Sequence, residues 1–271
     1  MASLAGKSWV RIQRLANMGT VFLRRNEHAI EELPREYLDR VRSIVGRGGI
    51  EDAEPIDLKS IPYRVLISLE QHHGRRSNAQ RQFAELGIDV AWKIPVKIDE
   101  IPWTWIPQAY RGRPASASHT ATLLSVFDEV ERTKAESFVV FEDDVIFHPA
   151  ISTLLPRIRV PRDWKFIYLG GRNTGTKKRV SLGLVRSDFV NDLHAVIIRS
   201  DMIAHLRRVL LDPAIDSMYT DFRFATLHDR YPAYLCRPNL AWQSVHGDDS
   251  GALPAYCNYY GNGTVKIDQG D

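Results

Sequence analysis

Three consecutive acids, Glu142, Asp143 and Asp144, follow the apolar run Val139-Val140-Phe141 and precede Val145-Ile146-Phe147. Acidic triplets are common on exposed surfaces, but one wedged between two apolar runs is not. Burying an unpaired carboxylate costs several kcal/mol. The pattern makes sense if the acids leave the carboxyl edge of a buried strand and meet a cation there, since open α/β sheets bind ligands at that edge. A hard divalent ion, Mn²⁺ or Mg²⁺, takes carboxylate oxygens and bridges phosphates. It would neutralise a leaving diphosphate. In an extended chain Glu142 and Asp144 share one side and Asp143 faces the other. Asp144 is therefore the first expected metal ligand, with Glu142 beside it.

The surrounding pattern supplies the elements that must hold these acids. Val65-Leu66-Ile67-Ser68-Leu69 has the composition of a buried strand. His72 to Arg76 follows as a polar turn, and Ser77 is an expected cap for a helix carrying Phe83 and Leu86 and ending at Gly87. The alternation from Ile88 to Pro95 predicts a second strand, and a strand–helix–strand unit implies parallel pairing. Ser116 or Ser118 is expected to start a helix with the stripe Leu123, Leu124, Phe127 and Val130. Strands are predicted at 137–147, broken by the acids, at 166–169 and at 193–198, with a helix from Asp201 to Leu211. Residues from Tyr231 on predict short strands and loops.

Bulk properties narrow the function classes. The 271 residues include 36 basic and 33 acidic side chains, a net charge of +3, with 44% hydrophobic and 25% charged residues. These are the values of an ordinary globular chain, without the basic excess of a nucleic-acid binder. Residues 1–62 read as an N-terminal extension and linker, and 63–271 as the main domain. No run reaches the roughly 18 apolar residues of a membrane span. The stretch from Trp9 to Arg25 mixes apolar residues with Arg11, Arg14, Arg24 and Arg25. It fits either a core-packing element or a basic amphipathic helix lying on an anionic membrane. Cys236 and Cys257 form no ligand pattern and read as two reduced thiols in the first place and as a single disulfide in the second. A cytoplasmic protein, with membrane-peripheral placement as the second possibility, is the expectation.

With these elements in order, the chain resembles glycosyltransferase family 25, which includes lipopolysaccharide and collagen galactosyltransferases. The resemblance runs from about Val65 to about Ser250. It rests on Val65 to Leu69 followed by Arg75-Arg76, on Ser118-His119, on Phe138 to Asp144, and on Leu193-His194-Ala195-Val196-Ile197-Ile198. It implies a GT-A (Rossmann-like) fold, a mixed, mostly parallel sheet flanked by helices. It also implies a UDP-hexose donor, often UDP-galactose, a divalent metal, a glycan-type hydroxyl acceptor and an inverting mechanism. By the same resemblance, Leu69 and Arg76 lie where the uridine sits, and His119 orders the nucleotide loop or caps its helix. Glu142 and Asp143 join the donor site. Asp221 is the implied general base, with Asp216 and Asp188 as rivals, and an inverting transfer needs one such base. His246, with Asp248 and Asp249 beside it, is an expected late metal ligand. The extension and the loop holding Trp103 and Trp105 have no counterpart in the family pattern.

Three features stay open. Gly170-Gly171 with Lys177-Lys178-Arg179 fits a flexible lid or a solvated loop. Trp103, Trp105 and Tyr110 fit a sugar-stacking surface or a packed loop. A binding module that has lost its chemistry, or a nucleotidyltransferase or phosphohydrolase, competes with the glycosyltransferase reading.

Overall fold

The computed structural model describes residues 52–181, 183–237, 239–244 and 264–265. The stretch from Trp9 to Arg25, His246, Asp248, Asp249 and Cys257 lie outside the described residues. One compact unit runs from Ile50 to Asp271, apart from Met1–Gly49. This unit begins before Tyr63, the start expected from the sequence pattern. Ala53–Pro55 pairs antiparallel with Arg159–Pro161, and Ile56, Leu58 and Ile61 are buried.

The main sheet has eight strands. They are β1 (Tyr63–Ile67), β2 (Ala91–Lys93), β3 (Ser137–Glu142), β4 (Phe166–Tyr168), β5 (Lys177–Ser181), β6 (Leu184–Ser187), β7 (Ala195–Arg199) and β8 (Ala233–Cys236), in the order β2-β1-β3-β7-β4-β8-β6-β5. β1 pairs in parallel with β2 and β3, and β8 with β4. β7 runs antiparallel to β3 and β4, and β6 to β8 and β5. Only β7 and β6 therefore oppose the common direction, but because each lies between two opposed strands four of the seven pairings are antiparallel, so the sheet is mixed, as expected, without being mostly parallel in its pairing.

Alternation along each strand builds a core on both faces. Phe138, Val140, Val196 and Ile198 join one buried cluster with Leu123, Phe127 and Leu206. Val139, Phe141, Ala195 and Ile197 join the other with Phe83, Ile158 and Trp164. Helix α1 (His73–Leu86) covers the second face and α2 (Pro114–Thr133) and α3 (Ile203–Leu211) the first. The short α4 (Thr220–Ala225) packs against α2 and α3. α1 starts at His73, earlier than Ser77, and ends at Gly87, whose φ of 65° is the left-handed conformation of a helix stop. α2 starts at Pro114, a first-turn position that needs no donated N–H. Among the described residues no helix is long and apolar enough to cross a membrane.

Candidate active site

The carboxyl ends of β1 and β3 and the entry to β7 meet at one edge of the sheet. β3 ends at Glu142, Asp143 and Asp144 turn, and Val145–Phe147 departs to pair with Ala241–Ser244. Two groups fix this departure. The Gln82 side chain donates to the Val145 carbonyl (3.1 Å) and accepts from the Phe147 N–H (2.7 Å). The Ser244 N–H donates to the Asp144 carbonyl (2.8 Å).

The turn gives the three acids different surroundings. Asp143 points inward and is saturated: Ser68 Oγ donates at 2.9 Å, His72 Nδ1 lies at 2.9 Å and Arg75 Nη1 at 3.5 Å. Glu142 accepts from Gln243 Nε2 (3.1 Å) and faces His119 Nε2 at 3.6 Å. Burial drops the His119 pKa to about 4, so this imidazole is neutral at pH 7 and the contact is not an ion pair. Asp144 Oδ1 is buried with no hydrogen-bond donor. Burial, then the neighbouring Asp144 charge, pushes the Glu142 carboxyl well up. Burial, then Asp143, pushes Asp144 up to about 6, against the opposing pull of Arg75. Glu142 and Asp144 are thus an under-compensated pair. Among the described residues no three acid, imidazole or thiol groups gather as a complete metal cage.

The two arginines divide their labour differently from the expectation. Arg76 is spent on structure: its Nη1 donates to the Leu69 and Glu70 carbonyls (3.0 and 3.2 Å), its Nη2 meets His73 Nδ1 (2.7 Å), and its guanidinium stacks 3.8 Å from the Trp92 ring. Trp92 in turn donates to the Ser68 carbonyl at 2.9 Å. Arg75, about 100° around the helix, faces the acids, and its buried Nε has no acceptor. Leu69 lies on the rim of the same turn, exposed.

Asp221 is the second residue of α4. Its Oδ1 accepts from the Phe222 N–H (2.9 Å) and its Oδ2 from the Asp192 N–H (3.3 Å). Asp192 is buried, at a φ of 76°, and its carboxylate is forked by the Arg172 guanidinium (2.8 and 3.0 Å to Oδ1). Asp221 lies close enough for its charge to help raise the Glu142 carboxyl. Of its rivals, Asp188 accepts from Thr176, and Asp216 is exposed in the 212–217 loop. Arg223, fully buried, gathers that loop by donating to the Ser217, Val209, Asp212 and Ile215 carbonyls (2.9, 3.0, 2.8 and 2.6 Å) and stacks over Tyr110. Nothing in the sequence marked Arg223, Gln243 or Asp192, because each acquires its role through contacts distant in the chain.

Several expectations change. Tyr110 is fully buried under Arg223 and is core, and Trp103 packs against the core, while Trp105 is exposed. Lys177-Lys178-Arg179 is not a lid but part of edge strand β5. Gly170 is needed for close approach, since a Cβ there would stand 1.8 Å from the Ala241 carbonyl oxygen. Cys236 is buried as a free thiol, its pKa pushed by burial up to about 12.

The exposed apolar side chains fall in a few segments. Leu69, Trp92, Ile94, Ile98, Trp105, Met218, Tyr219 and Phe222 are 38–53% exposed. All eight lie in β2, in segments following β1 and β2, or around the start of α4. An exposed apolar group of this kind marks a ligand or partner site.

No family model matches the chain, and no curated protein matches it. Among solved structures, the chain is similar to a glycosyltransferase involved in glycosylation of the major capsid of PBCV-1, with a TM-score of 0.38 and 9% identity, covering 62% of this chain and 75% of that one. It is also similar to mannose-1-phosphate geranyltransferase from Thermus thermophilus, with a TM-score of 0.36, 11% identity and coverage of 64% and 73%. A third is a UDP-glucose pyrophosphorylase complexed with UDP-glucose, with a TM-score of 0.35, 10% identity and coverage of 64% and 90%.

Proposed function

We propose that this protein is a metal-dependent, inverting glycosyltransferase of the GT-A type, similar to family 25, moving a hexose from a UDP donor to an acceptor hydroxyl. Galactose is the hexose the sequence resemblance favours. The observation that carries the reading is Asp144: a buried carboxylate oxygen without a donor, beside a second raised carboxylate, is a poor structural device and a good cation ligand. The residues fit the ion the reading implies. Glu142 and Asp144 would hold Mn²⁺ or Mg²⁺, with His246 as a third candidate. The bound ion supplies charge neutralisation to the departing diphosphate.

The chain's own residues do the rest. Asp143 is an anchor, tying the turn to Ser68, His72 and Arg75. Arg75 keeps a free buried Nε next to the acids and is the candidate phosphate contact. Arg76, Trp92 and Leu69 form the wall where the nucleoside would lie. Asp221, aimed by two backbone N–H groups, is the candidate base. In the transfer, the acceptor oxygen bonds to the anomeric carbon, the carbon–phosphate-oxygen bond breaks with its electrons leaving on UDP, and the proton goes to Asp221.

Titrating Mn²⁺ into the full chain with and without UDP tests the reading, together with UDP release from UDP-galactose and UDP-glucose. Expected are Mn²⁺ binding that UDP tightens and UDP release that chelator abolishes. Absence of both would leave a binding module on the same scaffold. Release of pyrophosphate would point to nucleotidyl transfer.

A further inference from the structure

The exposed apolar side chains include two groups that differ in their charged neighbours. On the α1 side, Leu69 and Trp92 accompany Arg76, whose guanidinium is committed to two carbonyls and a ring. On the α4 side, Met218, Tyr219 and Phe222 accompany two arginines that stack on aromatic rings. Arg113 sits 4.9 Å from the Tyr219 ring centroid and Arg111 sits 5.6 Å from that of Trp103. Both are exposed, and neither meets a carboxylate among the described residues. The two segments touch: a Cβ on Gly112 would stand 3.5 Å from Met218 Cε. Phe222 rests edge-on against Phe189 at 5.1 Å. Between Tyr219 and Phe222 in the chain lies Asp221.

We propose that Tyr219 and Phe222, with Arg111 and Arg113, form the acceptor subsite, and that it takes an anionic glycan. This rests on the glycosyltransferase reading for the word acceptor, but not for the binding. Between Tyr219 and Phe222 the Asp221 carboxylate, which accepts only from backbone N–H groups, disfavours an anionic group beside it. The two exposed guanidinium groups of Arg111 and Arg113 pair with carboxylate or phosphate through a planar fork. An acceptor must therefore present an uncharged hydroxyl inward, at Asp221, and its negative group outward. The ring that joins the two lies along exposed aromatic side chains, which suit the C–H face of a pyranose. A uronic acid and a sugar phosphate both meet this description.

The test is equilibrium binding of the full chain to three probes: an oligogalacturonate, a phosphorylated mannan oligosaccharide and neutral maltohexaose. At least one acidic probe should bind about tenfold more tightly than maltohexaose, and which one binds separates carboxylate from phosphate. The double substitution R111Q/R113Q should remove that preference. Y219A/F222A should weaken the preferred acidic probe by about tenfold. If that variant fails to fold by thermal unfolding, Y219L/F222L keeps the apolar bulk without the flat rings, and the same loss is expected. Equal binding of acidic and neutral probes overturns the proposal, as does an acidic preference that survives R111Q/R113Q. Mn²⁺–UDP binding on the unaltered chain reports separately on the glycosyltransferase reading, so the two can fail independently.

Discussion

The two edges of the main sheet carry charge in opposite ways. At the amino edge, the Glu54 carboxylate accepts from Trp164 Nε1 (2.7 Å) and from Arg199 Nη2 (3.0 Å), and Arg199 lies 4.1 Å over the Trp164 ring. Lys165 pairs with Asp201 beside them. Each of these charges has its opposite, and none of the exposed large hydrophobic residues lies there. At the carboxyl edge, Glu142 and Asp144 repel each other, Asp144 Oδ1 lacks a donor, and Leu69, on the turn that follows β1, is exposed. Sequence optimised for folding alone would make the second edge resemble the first. Uncompensated buried charge persists where function uses it.

Asp144→Asn is the strongest way to break this contrast. Replacing the carboxylate removes a group whose pKa burial has pushed up to about 6, and so removes a cost that the folded protein bears at pH 7. The melting temperature should therefore hold or rise. UDP release should fall at least about 1000-fold, since the lost ligand stabilises a leaving diphosphate by several kcal/mol. Opposite signs for stability and activity identify a functional acid. A loss of both would make Asp144 a structural residue and the two edges alike.

The contrast is partly legible in the residues alone. Apolar runs on both sides force the acids to a strand end, and the strand–helix–strand pattern forces that end to a parallel edge. Asp143 does stand apart from Glu142 and Asp144, though a two-residue turn separates them rather than extended alternation. Arg75 and Arg76 cannot be told apart when their helix is expected to start at Ser77. Its actual start at His73 makes both helical and turns them to different partners. Ser68 and His72 from the β1–α1 connection and Gln243 from a strand far along the chain converge on the acids, and no local pattern encodes that. Lys177 to Arg179 reads as a mobile loop because its three consecutive basic residues, all exposed, show no strand alternation. Its pairing with β6 is a tertiary fact.

Acid should weaken the carboxyl edge, and by a predictable sign. His228 is buried there, between the Tyr168 hydroxyl (3.0 Å) and the Val190 N–H, which donates to its Nδ1 (3.2 Å). That geometry requires the neutral ring, and burial lowers its pKa from 6.5 to about 3. The unfolded chain takes up a proton below pH 6.5, and the folded chain does not until about pH 3, so stability is lost as pH falls across that window. At pH 5 His228 alone should cost about 2 kcal/mol. Asp144 runs the other way, because the folded protein protonates it first, and it offsets part of the loss. Denaturant unfolding at pH 7 and pH 5 measures the net change, and hydrogen exchange at the Val190 amide locates it. H228Q should flatten the dependence. If the amides of Ala53 and Glu54 open before Val190, the weak edge has been assigned to the wrong side.

Glu54→Ala probes the opposite edge and should give the smallest effect. The carboxylate is partly exposed, so solvent already screens its pair with Arg199, and exposed pairs contribute little. What the substitution removes is one charge-assisted bond from the half-buried Arg199 and one bond from Trp164 Nε1, leaving that N–H to find water. Arg199 keeps its stacking on Trp164. A loss of about 1 kcal/mol in denaturant unfolding is expected, with UDP release unchanged within about twofold. The direction is the reverse of Asp144→Asn on both axes, lower stability with intact activity, because a saturated charge serves the fold. A tenfold fall in UDP release for Glu54→Ala would mean that the sheet couples its two edges. Compensation at one end would then be part of what keeps the other end strained.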